Sequence, residues 1–375
     1  VSDVRNQEVI AELLDKNVVK FKAKFNPDHN EGNVVNITHE KRYNPGFIIN
    51  ESENINLENI NIYHAGAMGI IGQTSKDISL LNTNVLLKKD SGRLVSTNND
   101  ATHFVNCEGL IKIKNCTFEN QLDDATNIQG IYNKITNIYP DGSIEVKLMH
   151  FQQQGVNIFR SQDKIAIVNK NTFEHKGYFG IKKVEKVNKE YIRLYGEKEG
   201  DFKLNIGDRT DNFERMPEVN IQNCKVGNNK ARGFLISTPK KVVIENNKFY
   251  TSGSAILTTC ETDGWCESGP VKNVTIKNNV FNNCSYIKEN VPIVSITPKK
   301  YCEENIYVEK NIKILNNKFN TFGPSVLKAE LVDGLKFIGN KVKRTSKFEP
   351  LESGNKLLEI NNSKSIKIEN NICCN

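Results

Sequence analysis

The most regular feature of the chain is a short block in which apolar and polar residues alternate and end on an asparagine. Strict alternation predicts a short β-strand with one buried face. The asparagine predicts a turn, because its side chain bonds neighbouring backbone and tolerates left-handed geometry. The nine copies are INLENINI (Asn59), ISLLNTNV (Asn82), IKIKNCTF (Asn115), VNIQNCKV (Asn223), VVIENNKF (Asn246), VTIKNNVF (Asn278), IKILNNKF (Asn316), LKFIGNKV (with Gly339 in place of asparagine) and IKIENNIC (Asn370).

The spacing of these blocks predicts the fold. Successive intervals are 23, 33, 108, 23, 32, 38, 23 and 31 residues, so a unit of 23 with loops added on one side explains every value except 108. A unit this short cannot bury its apolar face alone, but it can bury that face against its neighbours. We therefore predict an all-β, right-handed parallel β-helix whose corner asparagines bond one another. Leucine-rich repeats share the period, but their Leu-x-x-Leu-x-Leu skeleton is absent from the sequence.

The 108-residue interval predicts an insertion. From about Asn133 to Pro217 the segments alternate in polarity, a hairpin signal stands at 140–142, and the asparagine blocks are missing. We predict a small antiparallel β-barrel here, overhanging the acidic stretch that precedes it. The predicted domains are 1–132 (an N-terminal region and the first coils), 133–217 (the barrel) and 218–375 (the remaining coils). Residues 7–14 are compatible with a short helix.

The composition of the chain limits the classes of partner that it is expected to bind. The net charge of +7 comes from lysines scattered along strand edges, without basic clusters interleaved with aromatics, so we predict no nucleic-acid partner. No apolar run approaches the roughly 18–20 residues that cross a bilayer, so we predict no membrane partner. We also expect no signal peptide within this chain. Cys116 and Cys224 each follow an asparagine of the repeat, which favours stacked core thiols over metal ligands. Oligomerisation stays open.

A second, shorter repeat carries acids. The motif Asp-Ala-Thr begins at Asp100 and again at Asp124, 24 positions later, and Asp123 precedes the second copy. Residues in register on neighbouring coils lie about 4.8 Å apart. Asp100 is therefore expected beside Asp124, or beside Asp123 if the coil has 23 residues. Arg232 lies 108 positions after Asp124, which places a guanidinium in the same column on the next coil.

Three clustered carboxylates cannot all ionise comfortably, so one is expected to stay protonated near neutral pH. A protonated acid for the leaving oxygen and an ionised base or nucleophile opposite it are what glycoside hydrolysis requires. An inverting site would hold an opposed pair roughly 6.5–9.5 Å apart. An acidic turn capped by arginine, or a Ca²⁺ site, is the alternative.

Arg232 and four further residues are candidates for substrate binding. His64 lies in a glycine-rich segment that allows close backbone approach, and His103 follows the first acid by three positions. Trp265, the only tryptophan, stands in a polar loop together with Glu267. The tryptophan either stacks on a sugar ring or plugs the side of the β-helix, and Glu267 either binds hydroxyls or caps a turn. Each histidine alone is more often structural.

Several segments together resemble glycoside hydrolase family 110, the α-1,3-galactosidases. They are HAGAMGIIGQ, STNNDATHFVNCEG, CTFENQLDDATNIQGIY, KARGFLISTPKKVVIENN, GSAIL and WCESG, and they span about His64 to Cys284. The resemblance implies a β-helix with an inserted barrel that removes terminal α-galactose from blood-group-B-type or linear Galα1,3Gal glycans, with inversion and without metal or cofactor. It also implies catalytic roles for Asp100, Asp123 and Asp124, with acid and base unassigned.

One departure from the resemblance stands out. Where it leads us to expect Asn-Val-His-Gly, the chain has Asn127-Ile128-Gln129-Gly130, and the missing imidazole leaves subsite preference and activity open. The resemblance implies a secreted, cell-surface or periplasmic location. We therefore predict an exo-acting, inverting α-1,3-galactosidase. A β-helix polysaccharide lyase and a non-catalytic carbohydrate-binding β-helix remain the alternatives.

Overall fold

Three parallel β-sheets wind around one apolar interior in the computed structural model of this chain. The structure describes residues 10–22, 36, 42–287, 291–299, 306–323, 325–349 and 356–374. The chain divides into two units, residues 1–41 and 42–375. Within the described residues, no helix has the length and hydropathy to cross a bilayer.

The described part of the first unit is a β-hairpin. Strands Ile10–Asp15 and Val18–Lys22 pair antiparallel, and the Asp15 carboxylate accepts a hydrogen bond from the Lys16 amide at the turn. The prediction of a short helix at residues 7–14 is therefore wrong for residues 10–14, the part of it that the structure describes. The apolar residues fit a helical period, but the neighbouring β-branched strand satisfies the same backbone groups by cross-strand pairing.

Each coil of the second unit gives one strand to each of three sheets. The first sheet contains Glu53–Glu58, Lys76–Leu81, Glu108–Lys114, Glu218–Gln222, Lys241–Glu245, Asn273–Lys277, Glu309–Leu315, Val332–Ile338 and Lys364–Glu369. The second contains Asn61–Ile62, Asn84–Val85, Thr117–Glu119, Lys225–Gly227, Lys248–Tyr250, Val280–Asn282, Lys318–Thr321, Lys341–Arg344 and Ile372–Cys374. The third contains Phe47–Asn50, Ile70–Gln73, Thr102–Val105, Thr126–Ile131, Phe234–Ile236, Ile256–Thr258, Val294–Ile296, Leu327–Glu330 and Leu358–Asn361, with the short strand Glu267–Ser268 added antiparallel to Thr126–Ile131.

The asparagine of each block forms the corner between the first two sheets. All eight have left-handed backbone, with φ between 49° and 58°, and Gly339 takes the same place at 69°. Asparagine tolerates this conformation better than most residues, so the turn interpretation is confirmed. The side chains bond one another in pairs: Asn82 Nδ2 donates to Asn59 Oδ1 at 2.7 Å, and Asn223 Nδ2 donates to Asn115 Oδ1 at 3.3 Å.

A second asparagine column, one residue further along each of the last five blocks, points into the β-helix. From Asn247 through Asn279, Asn317 and Asn340 to Asn371, each Nδ2 donates to the next Oδ1, at 3.0, 3.1, 3.0 and 3.2 Å. Each of these Oδ1 atoms also accepts a backbone N–H of the preceding coil. A buried polar group is tolerated only when it is hydrogen-bonded, so this ladder is satisfied and rigid. Cys116 and Cys224 hold the equivalent place on earlier coils, inside the apolar core.

Aromatic stacking fills the interior behind this ladder. Phe249, Phe281 and Phe319 stack on consecutive coils with ring centroids 5.0 and 4.6 Å apart, and all three are buried. Burying each such side chain contributes about 1.5–3 kcal/mol. The apolar face that one coil cannot cover alone is thus covered by its neighbours, and the predicted parallel β-helix is confirmed.

The insertion is a closed antiparallel barrel. Its six strands are Asn133–Ile138, Ile144–Lys147, Lys164–Val168, His175–Lys186, Tyr191–Glu199 and Arg209–Asp211, and the 3₁₀ helices Phe151–Gln153 and Phe213–Arg215 accompany them. The predicted class of an inserted antiparallel barrel is confirmed; the boundaries 133–217 remain a prediction. The first and last strands are neighbours, with Asn133 paired to Thr210 and Lys134 to Arg209.

Candidate active site

The third sheet brings the acids together. Thr126 pairs with Thr102 on one side and with Phe234 on the other, so the coil offsets here are 24 and 108 residues. Asp124 therefore lies beside Asp100, and an oxygen of each of Asp100, Asp123 and Asp124 lies within 4.8 Å of an oxygen of the other two. Of the two registers left open by the sequence, the structure has the one set by the Asp-Ala-Thr repeat.

Asp124 is the most enclosed of the three acids, with 1% of the residue exposed. Its Oδ1 accepts the Arg232 backbone N–H at 2.9 Å, and its Oδ2 accepts Arg232 Nη2 at 2.6 Å. Burial raises the pKa of Asp124 well above its usual range, and Arg232 opposes that rise. Burial lowers the pKa of Arg232, but Asp124 and Asp123 outweigh it, so the guanidinium stays charged.

Asp100 is held by a histidine and linked to the next coil. Its Oδ2 lies 2.7 Å from His103 Nδ1, and both side chains are buried. Its Oδ1 accepts the backbone N–H of Asp124 at 3.2 Å. This second bond ties the first acid to the coil that carries the other two.

Asp123 is the most accessible acid, with 26% of its side chain exposed. Burial, and then the neighbouring Asp100, raise the pKa of Asp123 to about 6, although Arg232, Arg42 and His103 oppose the rise. Its Oδ2 lies 3.6 Å from Arg42 Nη2. A carboxyl group with this pKa holds a proton under mildly acidic conditions and can deliver it.

A buried amide fixes the loop that joins these residues. Asn229 Nδ2 donates to the backbone carbonyls of Asp123 at 3.2 Å and of Arg232 at 2.6 Å. One side chain thus links the backbone of the coil that carries Asp123 to the backbone at Arg232 on the next coil.

An aromatic wall stands beside the acids. Trp265 is 46% exposed, and its backbone N–H donates to Glu261 Oε1 at 2.7 Å. Its ring lies 4.7 Å from the His150 ring, and the Arg42 guanidinium lies 4.9 Å from its centroid. His150 belongs to the insertion, so the insertion reaches the side of the β-helix that carries the acids.

Glu267 lies behind this wall on the short antiparallel strand. Its Oε1 accepts Asn127 Nδ2 at 3.3 Å, and Asn127 is the register partner of His103. Burial raises the pKa of Glu267, while Lys299 and Arg232 oppose the rise. Glu267 therefore belongs to the same charge network as Arg232.

The structure brings eight residues together on this face and leaves one predicted residue outside. Asp100, Asp123, Asp124, His103, Arg232 and Glu267 form one network, and Asn127 and Trp265 border it. His64 is exposed on the coil before Asp100, and among the described residues no hydrogen bond or ion pair joins it to the acids.

The sequence patterns did not indicate three residues of this face, Arg42, Asn127 and His150. Asn127 was identifiable, because it is 24 residues after His103 and so in its register.

Gln129 occupies the place where the resemblance leads us to expect histidine. Ile128 packs in the core, so alternation directs both Asn127 and Gln129 to the outer face. The buried Oε1 of Gln129 has no hydrogen-bond partner among the described residues. The departure thus lies two positions from the contact between Asn127 and Glu267.

The acid cluster suits proton transfer better than cation binding. Carboxylate oxygens are ligands that a hard cation prefers. Here, however, Arg232 and Arg42 already face two of the three acids and would repel a divalent ion. The closest oxygens lie within 4.8 Å, which is less than the separation of carboxyl groups expected of an inverting pair, so inversion remains a prediction.

Comparison with known proteins supports this architecture. A family model described as GLAA-B beta-barrel domain II matches residues 143–209, most of the barrel. Alpha-1,3-galactosidase A of Shewanella woodyi is 34% identical over 357 residues, covering 94% of this chain and 58% of that protein. Alpha-1,3-galactosidase B of Bacteroides thetaiotaomicron is 33% identical over 344 residues, covering 91% and 56%.

The chain spans a little under three fifths of the length of these curated relatives. Among solved structures, the family 28 exopolygalacturonase of Yersinia enterocolitica has a TM-score of 0.39 at 10% identity, covering 85% of this chain and 43% of that one. That likeness is too weak to carry a functional conclusion. The resemblance predicted from the sequence is nevertheless confirmed, because over about nine tenths of its length this chain is a homologue of the α-1,3-galactosidases A and B.

Proposed function

We propose that this chain carries the catalytic centre of an exo-acting, inverting α-1,3-galactosidase. The observation that carries the proposal is a cluster of three carboxylates on two adjacent coils, each facing a basic side chain of its own. The names of the homologous proteins support the choice of α-linked galactose as substrate. The extracytoplasmic location expected from the resemblance stays a prediction.

Asp123 is the proposed proton donor. It is the most exposed of the three acids, and its raised pKa of about 6 keeps a useful protonated fraction under mildly acidic conditions. It transfers this proton to the glycosidic oxygen as the bond from that oxygen to the galactose C1 breaks. The acceptor sugar then leaves as an alcohol.

Asp100 and Asp124 are the candidates for the base. Both are buried. Asp100 Oδ2 lies 2.7 Å from His103 Nδ1, and the Arg232 guanidinium donates to Asp124 Oδ2 and opposes the rise that burial causes in the pKa of Asp124. One of them removes a proton from a water molecule that attacks C1 from the opposite face. The new bond from C1 to oxygen inverts the anomeric centre, so β-galactose is the first product.

The wall around the acids suits a terminal sugar. The loop that carries Trp265 and the insertion segment at His150 stand on one side of Asp123. A wall on one side favours removal of an end residue over cleavage within a polymer. Buried polar groups such as Asn127 and Glu267 are suited to recognising galactose hydroxyls.

The test is incubation of the purified protein with Galα1,3Gal and with p-nitrophenyl α-galactoside, followed by proton NMR of the first product. Release of galactose with the β-anomer first would support the proposal. Release of α-galactose first would contradict inversion while leaving the hydrolase intact. Binding of Galα1,3Gal without any release would favour a non-catalytic carbohydrate-binding protein.

A further inference from the structure

Arg42 lies where three separate parts of the chain meet. Its Nη2 is 3.6 Å from Asp123 Oδ2, its Cζ is 4.9 Å from the centroid of the Trp265 ring, and its Nη1 donates to Gln152 Oε1 at 3.5 Å. The residue precedes the first β-helix strand, whereas Trp265 comes from a coil loop and Gln152 from the insertion. One guanidinium therefore contacts a candidate catalytic acid, the aromatic wall and the barrel.

The contact with Asp123 differs from those of the other two acids. The carboxylate of Asp100 lies 2.7 Å from its histidine, and that of Asp124 lies 2.6 Å from its arginine, both at hydrogen-bond distance. The 3.6 Å contact of Arg42 is longer than a hydrogen bond. It stabilises the ionised carboxylate by charge alone and leaves the carboxyl oxygens able to contact a leaving group.

The charges that face Asp123 divide into two sets. Asp100 and Asp124 favour its protonated form, and Arg42, Arg232 and His103 favour its ionised form. Arg232 and His103 are each hydrogen-bonded to another acid. Among the described residues, Arg42 also contacts Trp265 and the neutral amide of Gln152, and its charge adds to burial in lowering the pKa of His150. Loss of Arg42 would therefore change the balance at Asp123 without unpairing a second acid.

We propose that Arg42 is a positioning residue for the reaction, which holds Trp265 against the site and sets the protonation of Asp123. This inference rests on the proposed function. Sugar stacked on the exposed side of Trp265 and proton delivery from Asp123 would then depend on the same side chain. Arg42 thereby links recognition of the acceptor sugar to the acid that protonates its oxygen.

The experiment compares Arg42→Gln and Arg42→Lys with the unaltered protein. The pH dependence of kcat/KM is measured with p-nitrophenyl α-galactoside, and KM is measured with Galα1,3Gal. In the pH profile of kcat/KM, the limb that reports the titration of Asp123 is expected to move to higher pH by about one unit in Arg42→Gln. The reason is that one positive charge about 3.6 Å away is lost at a partly exposed site. Arg42→Lys restores the charge, so it is expected to restore the limb while still raising KM through the weaker contact with Trp265.

Arg193→Gln is the matched control. Arg193 pairs with Asp141 at 2.9 Å and lies over tyrosine rings on the barrel, so its loss removes the same kinds of contact away from the acids. The control should leave both the limb and KM unchanged. An Arg42→Gln protein that folds with an unshifted limb and unchanged KM would overturn the proposal. If Arg42→Gln does not fold, Arg42→Lys decides alone: an unchanged KM for Galα1,3Gal overturns it.

A protein without galactosidase activity would refute the proposed function and still leave Arg42 open to test. In that case the carboxyl carbons are labelled with ¹³C-aspartate, and Asp123→Asn assigns the signal. An upward shift of the Asp123 titration in Arg42→Gln supports the role of Arg42, and an unchanged titration overturns it. Failure of the inference and failure of the function are thus distinguishable.

Discussion

Asp211 offers a quantitative test of how the barrel is joined to the β-helix. It ends the last barrel strand, is fully buried, and accepts a hydrogen bond from Ser268 Oγ at 2.7 Å on the strand that carries Glu267. Its second oxygen has no hydrogen-bond partner among the described residues. Burial raises the pKa of Asp211 to about 8, although Ser268 and Lys272 oppose the rise. Asp211→Asn keeps the acceptor for Ser268 and cannot ionise, so it isolates the effect of the proton.

The sign of the effect follows from proton linkage. An aspartate in the unfolded chain has a pKa of about 3.9, so between roughly pH 4 and pH 8 the folded protein retains a proton that the unfolded protein has released. The stability that this proton provides is present below about pH 4 and is lost as pH rises toward 8. The loss amounts to at most about 1.4 kcal/mol per pH unit, or about 5–6 kcal/mol over the window. The Asp211→Asn variant cannot ionise at this position, so it has no such loss of stability.

The assay is urea unfolding of both proteins at pH 5 and pH 7.5. The difference in unfolding free energy between Asp211→Asn and the unaltered protein should move in favour of the variant by about 3 kcal/mol between the two pH values. Glu309, also buried with a pKa raised to about 8, is present in both proteins and cancels. Asp141→Asn is the control, because the Ser143 hydroxyl and amide hold the pKa of Asp141 below its usual range and it stays ionised throughout. A difference that is the same at both pH values would refute the reasoning.

Three further predictions concern the site and its scaffold. Replacing Asp100, Asp123 or Asp124 by asparagine should lower kcat by at least about 10²-fold without altering the circular dichroism spectrum, and full activity in two of the three variants would contradict the mechanism. Arg232→Ala should also lower kcat, because the buried Asp124 loses its hydrogen-bonded cation; a change in KM alone would argue that Arg232 only holds substrate. Asn317→Leu should lower unfolding free energy by about 2–3 kcal/mol, because the ladder bonds on both sides of it break, whereas Asn82→Ala in the exposed column should cost under about 1 kcal/mol.

The repeat made much of the site predictable from sequence. In a β-helix, a sequence interval between blocks is also a spatial relation, because residues in register are neighbours on adjacent coils. Counting 24 residues from Asp100 and 108 from Asp124 therefore led to contacts that the structure contains. The fold class followed from the same intervals, because the spacing of the asparagine blocks alone was enough to predict a parallel β-helix.

The sequence shows the asparagines of the inner ladder but does not predict that they point into the core. Four blocks carry paired asparagines, at 246–247, 278–279, 316–317 and 370–371. The alternation indicates strands, but it does not say which asparagine turns the corner and which points inward. Left-handed backbone at the first directs the second into the core, and only the three-dimensional turn reveals this.

Other residues of the site lie outside the repeat, so its spacing does not predict their positions. Arg42 precedes the first block, and His150 lies inside the insertion, where the 23-residue period does not apply. Their meeting at Trp265 depends on how the barrel docks. The glycine-rich segment at His64 had the opposite outcome. The His64 side chain is exposed, but the residues after it are largely buried, and the missing Cβ of Gly69 makes room for the Ala101 carbonyl of the next coil.

The barrel leaves and re-enters the β-helix at one place. Because Asn133 and Lys134 pair with Thr210 and Arg209, the two ends of the insertion are adjacent, and the coil closes as though a short loop stood there. Bringing the ends of a loop together costs free energy that grows only slowly with loop length. A module attached in this way can be lengthened, exchanged or lost in evolution without changing the stacking of the coils. The acids would stay in register while the wall beside them changed, so substrate range and catalytic chemistry can diversify separately on this scaffold.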